Sequence, residues 1–133
     1  MPFVRVQVPS STTNLGPGFD ALGVALNLYN RVELDELPWG LSIHVEGEGA
    51  DVIPLDETNI SVEAVKRVYK KAGRTLPGLW MKQRNHIPLA RGLGSSSAAL
   101  VGGLVGANLL LGNPLSMDEL VQLGVEMEGH PDN

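Results

Sequence analysis

The chain has 133 residues, of which 43% are hydrophobic and 19% are charged, so it can bury a core and does not have the composition of a disordered protein. Its net charge of −5 argues against a nucleic-acid partner, and the absence of cysteine excludes disulfides, thiolate metal sites and cysteine nucleophiles. Arg5 interrupts the first apolar stretch, which argues against a signal peptide, and the apolar region Ala98–Leu111 is shorter than the roughly 20 residues of a membrane span. We therefore expect a cytoplasmic protein.

The first part of the chain has the alternating pattern of β-strands. Apolar and polar residues alternate over Phe3–Val8 and Leu41–Glu46, which predicts a half-buried strand in each segment. The apolar run Ala21–Asn27 and the alternating segment Tyr29–Leu37 predict two short strands or one bent strand. Between the first strand and this region, residues 10–20 are small and turn-forming, which is typical of a long loop.

The second part of the chain contains the predicted helices, and apolar residues fall at helical spacing in the first of them. Helices are predicted over Ile60–Ala72, Ala98–Leu111 and Met117–Met127, and a strand over Leu79–Arg84. The last helix begins with a capping box, because Ser116 is followed three residues later by Glu119. Strands followed by alternating helices indicate an α+β or an α/β fold.

A turn rich in glycine and serine, Gly92–Ser97, precedes the apolar helix. Glycine lets the backbone approach a ligand, and the helix N-terminus offers free N–H groups and partial positive charge that suit phosphate. The turn is not a Walker A loop, because no Gly-Lys-Ser/Thr follows, and it lacks the third glycine of a dinucleotide fingerprint. By itself the pattern favours phosphate binding no more than a flexible turn with a serine helix cap.

Two other polar clusters have both a chemical and a purely structural interpretation. The stiff loop Asn14–Asp20 holds two short polar side chains, as a small polar ligand requires, but it is also what a tight turn built from glycine and proline looks like. The ending Glu128–Asn133 contains carboxylates and a histidine, or is simply a helix terminus stopped by glycine and proline. If ATP brings the phosphates, a single carboxylate such as Glu128 suffices for magnesium.

Together the three clusters resemble the homoserine kinase family of the GHMP kinases. Val8–Gly23 is similar to the N-terminal signature of homoserine kinases, Pro88–Ala98 to the phosphate loop of all GHMP kinases, and Glu128–Asn133 to a third motif. The resemblance covers the whole chain and implies an α+β domain like domain 2 of ribosomal protein S5. It also implies that residues 1–133 are the N-terminal ATP-binding domain of a truncated two-domain enzyme, without its C-terminal ferredoxin-like domain.

The resemblance implies roles in nucleotide and metal binding for individual residues. The nucleotide would be bound by Asn59, Pro88, Leu89, Ala90, Arg91, Gly92, Leu93, Gly94, Ser95, Ser96, Ser97 and Ala98. Magnesium would be held by Ser96, with the adjacent serines as alternatives, and by Glu128, with Glu126 as a substitute.

The substrate side of the site follows from the same resemblance. The residues at positions that contact homoserine are Asn14, Asp20, His130 and Asn133. Asp132 falls near the catalytic aspartate of mevalonate kinase, whereas direct phosphoryl transfer without a base is the favoured view for homoserine kinases.

The implied activity is ATP- and Mg2+-dependent phosphorylation of the side-chain hydroxyl of L-homoserine, a step of threonine biosynthesis. Another GHMP small-molecule kinase and a non-catalytic nucleotide or sugar sensor with the same fold are the alternatives. We expect a homo-oligomer with no membrane or nucleic-acid partner. We also expect no measurable activity from residues 1–133 alone, because a one-sided cleft cannot hold two reactants in line.

Overall fold

The computed structural model describes residues 3–9, 29–87 and 95–128. The elements within them are β1 (Phe3–Pro9), β2 (Tyr29–Glu36), β3 (Gly40–Gly47), α1 (Ile60–Lys71), β4 (Gly78–Asn85), α2 (Ser95–Leu110) and α3 (Met117–Glu128). The α+β class is therefore confirmed. The possible strand at Ala21–Asn27 lies outside the described residues.

The four strands form one mixed sheet in the order β1-β2-β4-β3. The pairs β1–β2 and β2–β4 are antiparallel, whereas β3 and β4 are parallel. A parallel pair needs a crossover connection, and α1 lies in the chain between these two strands. This arrangement brings α1 onto one face of the sheet, beside α2.

The core lies between that face of the sheet and the helices. The inward positions of β2 and β4, among them Leu34 and Met81, are fully buried, as are Val65 and Val68 of α1. The other face of the sheet is largely polar, with Arg5 of β1 paired to Glu33 of β2 at 2.8 Å, and it also carries the aromatic pair Phe3 and Trp80. Alternation along the strands produces this division, because successive side chains point to opposite faces.

Close packing of α2 depends on glycine. A Cβ atom at Gly103 would lie 2.6 Å from the carbonyl oxygen of Ser61 in α1, and one at Gly106 would lie 2.6 Å from Cδ1 of Leu34 in β2. These distances are below van der Waals contact, so a larger residue would push the helix outward. Glycine thus lets α2 fit between α1 and the sheet, which fixes the position of its first turn.

The helix boundaries differ from the sequence prediction at one informative place. α2 begins at Ser95, three residues before the predicted start at Ala98, so the serine run belongs to the helix. Serine is tolerated in the first turn of a helix, because the backbone N–H groups there have no intrahelical acceptor and a serine hydroxyl does not compete with one. No helix among the described residues is long and apolar enough to cross a membrane.

The predicted capping box of α3 is confirmed. The backbone N–H of Ser116 donates to Oε1 of Glu119 at 2.8 Å, and the backbone N–H of Glu119 donates to Oγ of Ser116 at 3.1 Å. Asn108 of α2 fixes the preceding turn, because its amide both donates to the carbonyl oxygen of Leu115 and accepts from the N–H of Leu115. These hydrogen bonds fix the turn between α2 and α3, and with it the direction in which α3 begins.

Candidate functional site

The first turn of α2 meets the last turn of α3. Oγ of Ser97 donates a hydrogen bond to Oε2 of Glu128 at a distance of 3.0 Å. Ser97 is half-buried and Glu128 is exposed, so the pair lies at the edge of the domain, where a ligand can approach. A hydroxyl and a carboxylate thereby stand together beside a helix N-terminus, which carries partial positive charge.

The two glutamates considered for the metal have different surroundings. Glu128 contacts the start of α2, whereas Glu126 lines a groove with Arg67, Lys70 and Lys71 of α1. Oε2 of Glu126 also accepts a weak hydrogen bond of 3.4 Å from Gln122. The helical turn therefore directs only Glu128 toward the serine run.

The donor set at this place suits magnesium in company with phosphate. No group of three or more histidine, aspartate or glutamate residues that could hold a metal occurs within 3–9, 29–87 and 95–128. A zinc site built by protein alone needs three or four such ligands, whereas Mg2+ commonly takes one or two carboxylates and completes its shell with phosphate oxygens and water. Glu128 with a neighbouring hydroxyl fits the second pattern.

Asn59 has a structural role that uses its whole side chain. It is the N-cap of α1, where Oδ1 accepts from the N–H groups of Ser61 and Val62 at 2.8 and 3.3 Å. Its Nδ2 donates to the carbonyl oxygen of Pro54 and to Oε1 of Gln83. An asparagine amide has two donors and two acceptor positions, and all four are used. The resemblance assigned this residue to the nucleotide pocket, which stays a prediction, and the structure shows that its side chain caps α1.

Sequence reasoning did not single out three buried polar residues near this region, Asn30, Ser61 and Gln83. Gln83 occupies an inward position of β4, where its neighbours at i−2 and i−4 are Met81 and Leu79. A polar residue at an apolar position of an alternating strand is a detectable signal, because it must find partners inside the core. Ser61 gave no such signal, since serine near a helix start is ordinary.

Several predicted site residues fall outside the described residues. They are Asn14, Asp20, His130, Asp132, Asn133 and the loop residues Pro88, Leu89, Ala90, Arg91, Gly92, Leu93 and Gly94. The side chains of Ser95 and Ser96 are likewise outside the described part, although both residues belong to α2, and Ala98 is buried in its first turns.

Comparison with known proteins decides the family. Residues 59–133, more than half of the chain, match the family described as GHMP kinases N terminal domain. The chain belongs to the GHMP kinases. This GHMP kinase domain starts its family match at the cap residue Asn59 and includes the serine run and Glu128, so the contact between α2 and α3 lies within the matched region.

Several individual relatives to which the chain is similar are homoserine kinases. The domain is 52% identical to a homoserine kinase of Carboxydothermus hydrogenoformans over 98% of this chain and 43% of that protein. A homoserine kinase of Caldanaerobacter subterraneus subsp. tengcongensis is 51% identical over 98% of this chain and 42% of its own length. The crystal structure of homoserine kinase from Cytophaga hutchinsonii superimposes with a TM-score of 0.78 at 26% identity, covering 96% of this chain and 41% of that one. This GHMP kinase chain thus spans less than half the length of these relatives.

Proposed function

We propose that the product of the complete gene phosphorylates the side-chain hydroxyl of L-homoserine with ATP, giving O-phosphohomoserine for threonine biosynthesis. The observation that carries this proposal is the identity of about half of all positions with homoserine kinases over 98% of the chain. Residues 1–133 would be the N-terminal nucleotide-binding domain of a two-domain enzyme.

The nucleotide would lie at the start of α2. The segment Pro88–Ala98 supplies glycines, serines and the free N–H groups of the helix terminus, and the helix dipole favours the negative charge of phosphates. Fixed donors of this kind stabilise the charge of a transferring phosphoryl group without reorganisation. The buried glycines of α2 serve this purpose because they hold the helix terminus in place.

Magnesium would be held by Glu128 of α3 and a serine in the first turn of α2, with Ser96 as the proposed ligand and the adjacent serines as alternatives. The hydrogen bond of 3.0 Å between Ser97 and Glu128 supports this assignment, because it brings the carboxylate to the serine run. An ion held there would supply positive charge that offsets the negative charge of the ATP phosphates. Glu128 supplies the anionic oxygen that offsets the dehydration of the ion.

The homoserine side of the site rests on four residues, Asn14, Asp20, His130 and Asn133. Asp20 is a suitable counter-charge for the ammonium group of the substrate, and the other three supply polar contacts. Asp132 is the one candidate for a general base. A loose phosphoryl-transfer transition state depends chiefly on alignment and charge neutralisation, so we propose direct transfer without an obligatory base.

We further propose that the enzyme acts in the cytoplasm as a homo-oligomer and binds neither nucleic acid nor membrane. The net charge of −5 supports the lack of a nucleic-acid partner. Association is supported by the exposed apolar side chains of Met117, Val121 and Val125, which follow one another at four-residue spacing along α3.

A substrate panel tests the activity. The complete gene product is incubated with ATP and either L-homoserine, mevalonate or galactose, and ADP release is measured. Homoserine should be preferred by on the order of 100-fold or more in kcat/KM, because the Asp20 carboxylate would be left without its proposed partner by substrates that lack an ammonium group. Turnover of mevalonate in place of homoserine would make the protein a different GHMP kinase, and ATP binding without any turnover would indicate a sensor.

A further inference from the structure

The described residues on both sides of segment 88–94 are held by buried polar side chains. On the first side, Asn30 of β2 accepts hydrogen bonds through Oδ1 from the backbone N–H groups of His86 and Ile87, each at 3.0 Å. Asn30 is 1% exposed and Ile87 is fully buried. The N–H of His86 also reaches the carbonyl oxygen of Tyr29 at 3.1 Å. The backbone therefore enters the segment from a fixed position.

On the second side, the anchor is a hydroxyl of α1. Oγ of Ser61 donates to the carbonyl oxygen of Ala99 in α2 at 2.6 Å. The same Oγ accepts from Nε2 of Gln83 in β4 at 2.9 Å, and Oε1 of Gln83 accepts from Nδ2 of Asn59. Ser61 is fully buried and Gln83 is 1% exposed. A continuous series of hydrogen bonds thus runs from the sheet through α1 to the start of α2.

Both anchors are connected to one pair of strands, because Asn30 lies on β2 and Ser61 of α1 accepts a hydrogen bond from Gln83 of β4. In the antiparallel register of β2 and β4, Asn30 lies opposite Asn85, and Val32 lies opposite Gln83. Each anchoring group is buried, so breaking its hydrogen bonds would leave donors or acceptors without water or protein partners, which is costly. The strand pair therefore sets the separation between Ile87 and Ala99.

We infer that Asn30 and the Ser61–Gln83 pair are positioning residues that hold the two ends of the nucleotide-binding segment at a fixed separation. This inference rests on the proposed function in that the segment 88–98 is taken to bind ATP. None of the three side chains needs to touch the nucleotide. They would act by holding Ile87 and Ala99, which flank the segment, in fixed positions before ATP arrives, which lowers the entropy lost on binding.

Asn108 provides a matched control. It is buried in α2 and makes two hydrogen bonds of 3.0 Å with the backbone of Leu115, so its loss resembles the loss of Asn30. It lies nine residues beyond Ala99, which is roughly 14 Å along a helix and toward the opposite end. A variant at this position measures how much stability is lost when a buried, hydrogen-bonded asparagine is removed far from segment 88–94.

The test uses Asn30→Leu, Ser61→Ala and the control Asn108→Leu in the complete gene product. ATP affinity is measured by fluorescence titration with a labelled ATP analogue, ATP KM by ADP release, and stability by urea unfolding. Asn30→Asp is included because it keeps the oxygen that accepts from His86 and Ile87. Ser61→Ala removes only one hydroxyl and provides a milder variant should Asn30→Leu not fold.

We expect Asn30→Leu and Ser61→Ala to weaken ATP binding about tenfold, which corresponds to about 1.4 kcal/mol, and to leave the homoserine KM unchanged. Asn108→Leu should lose similar stability and keep its ATP affinity within about twofold, and Asn30→Asp should recover most of the loss. Equal effects of all variants on ATP affinity, or none from Asn30→Leu and Ser61→Ala, would overturn the inference.

The binding titration separates this inference from the proposed function because it needs no acceptor substrate. A wild-type protein that binds ATP but does not phosphorylate homoserine would refute the proposed substrate, and the four variants would still decide the positioning roles. A wild-type protein without measurable ATP affinity would overturn both proposals.

Discussion

Ser97 in the first turn of α2 and Glu128 in the last turn of α3 are joined by a hydrogen bond of 3.0 Å between Oγ and Oε2. This contact links two helix ends that are 31 residues apart in the chain. It places a carboxylate beside the serine run that follows the glycine-rich segment. The proposal that Glu128 binds magnesium is based on this contact, and so is the Glu128→Gln experiment that tests it.

Glu128→Gln in the complete gene product should lower kcat on the order of 100-fold, because it removes the proposed anionic ligand of magnesium while keeping size and hydrogen bonding. The matched control is Glu126→Gln, two residues earlier, where the side chain lies beside the basic residues of α1. Turnover is measured as a function of Mg2+ concentration. A severe loss from Glu126→Gln together with a mild one from Glu128→Gln would place the metal on the other side of α3.

Asp20→Asn should raise the homoserine KM strongly and leave the ATP KM nearly unchanged, because the carboxylate is proposed to pair with the substrate ammonium. Steady-state kinetics with each substrate varied in turn provides the measurement. An analogue with hydrogen in place of the amine should be a poor substrate of the wild type and lose little more in the variant. Equal losses for homoserine and the analogue would mean that Asp20 instead shapes its loop.

Gly103→Ala should destabilise the domain by about 1–3 kcal/mol, because the added Cβ would lie 2.6 Å from the carbonyl oxygen of Ser61. Gly124→Ala in α3 is the control, since its Cβ would meet Cδ1 of Leu104 at 3.4 Å and alanine is the better helix former. Urea unfolding compares the two. A stable Gly103→Ala variant would show that α1 and α2 can separate more easily than their packing indicates.

The capping box should make α3 sensitive to acid. The hydrogen bond from the backbone N–H of Ser116 lowers the pKa of Glu119 below its ordinary value of 4.5. A carboxyl group with a lowered pKa in the folded state adds stability above the unfolded value, and this contribution disappears as the pH falls below 4.5. The urea midpoint of the wild type should therefore exceed that of Glu119→Gln at neutral pH, and the difference should shrink near pH 3. A difference that is constant with pH would rule out this ionic contribution.

Local pattern alone determined much of this protein. Alternation predicted β1, β2 and β3, helical spacing predicted α1, and Ser116 with Glu119 predicted the start of α3. The strand β4 and the apolar helix α2 were also predicted, the helix with its start three residues too late. The glycine-serine run and the two other motifs indicated the GHMP kinases, as the family comparison confirms. These features can be predicted because they depend on neighbours within a few residues of one another.

Only the tertiary structure decided which distant residues meet. Gln83 lies on the inward face of β4, and its partner Ser61 is 22 residues earlier in the chain. The carbonyl oxygen that Ser61 reaches belongs to Ala99, which is 38 residues after Ser61. That Glu128 rather than Glu126 contacts Ser97 likewise depends on how α3 lies against α2. These contacts depend on the parallel pairing of β3 with β4 and on the close approach of α2 to α1 and the sheet, which its glycines permit. Neither feature can be predicted from a short stretch of sequence.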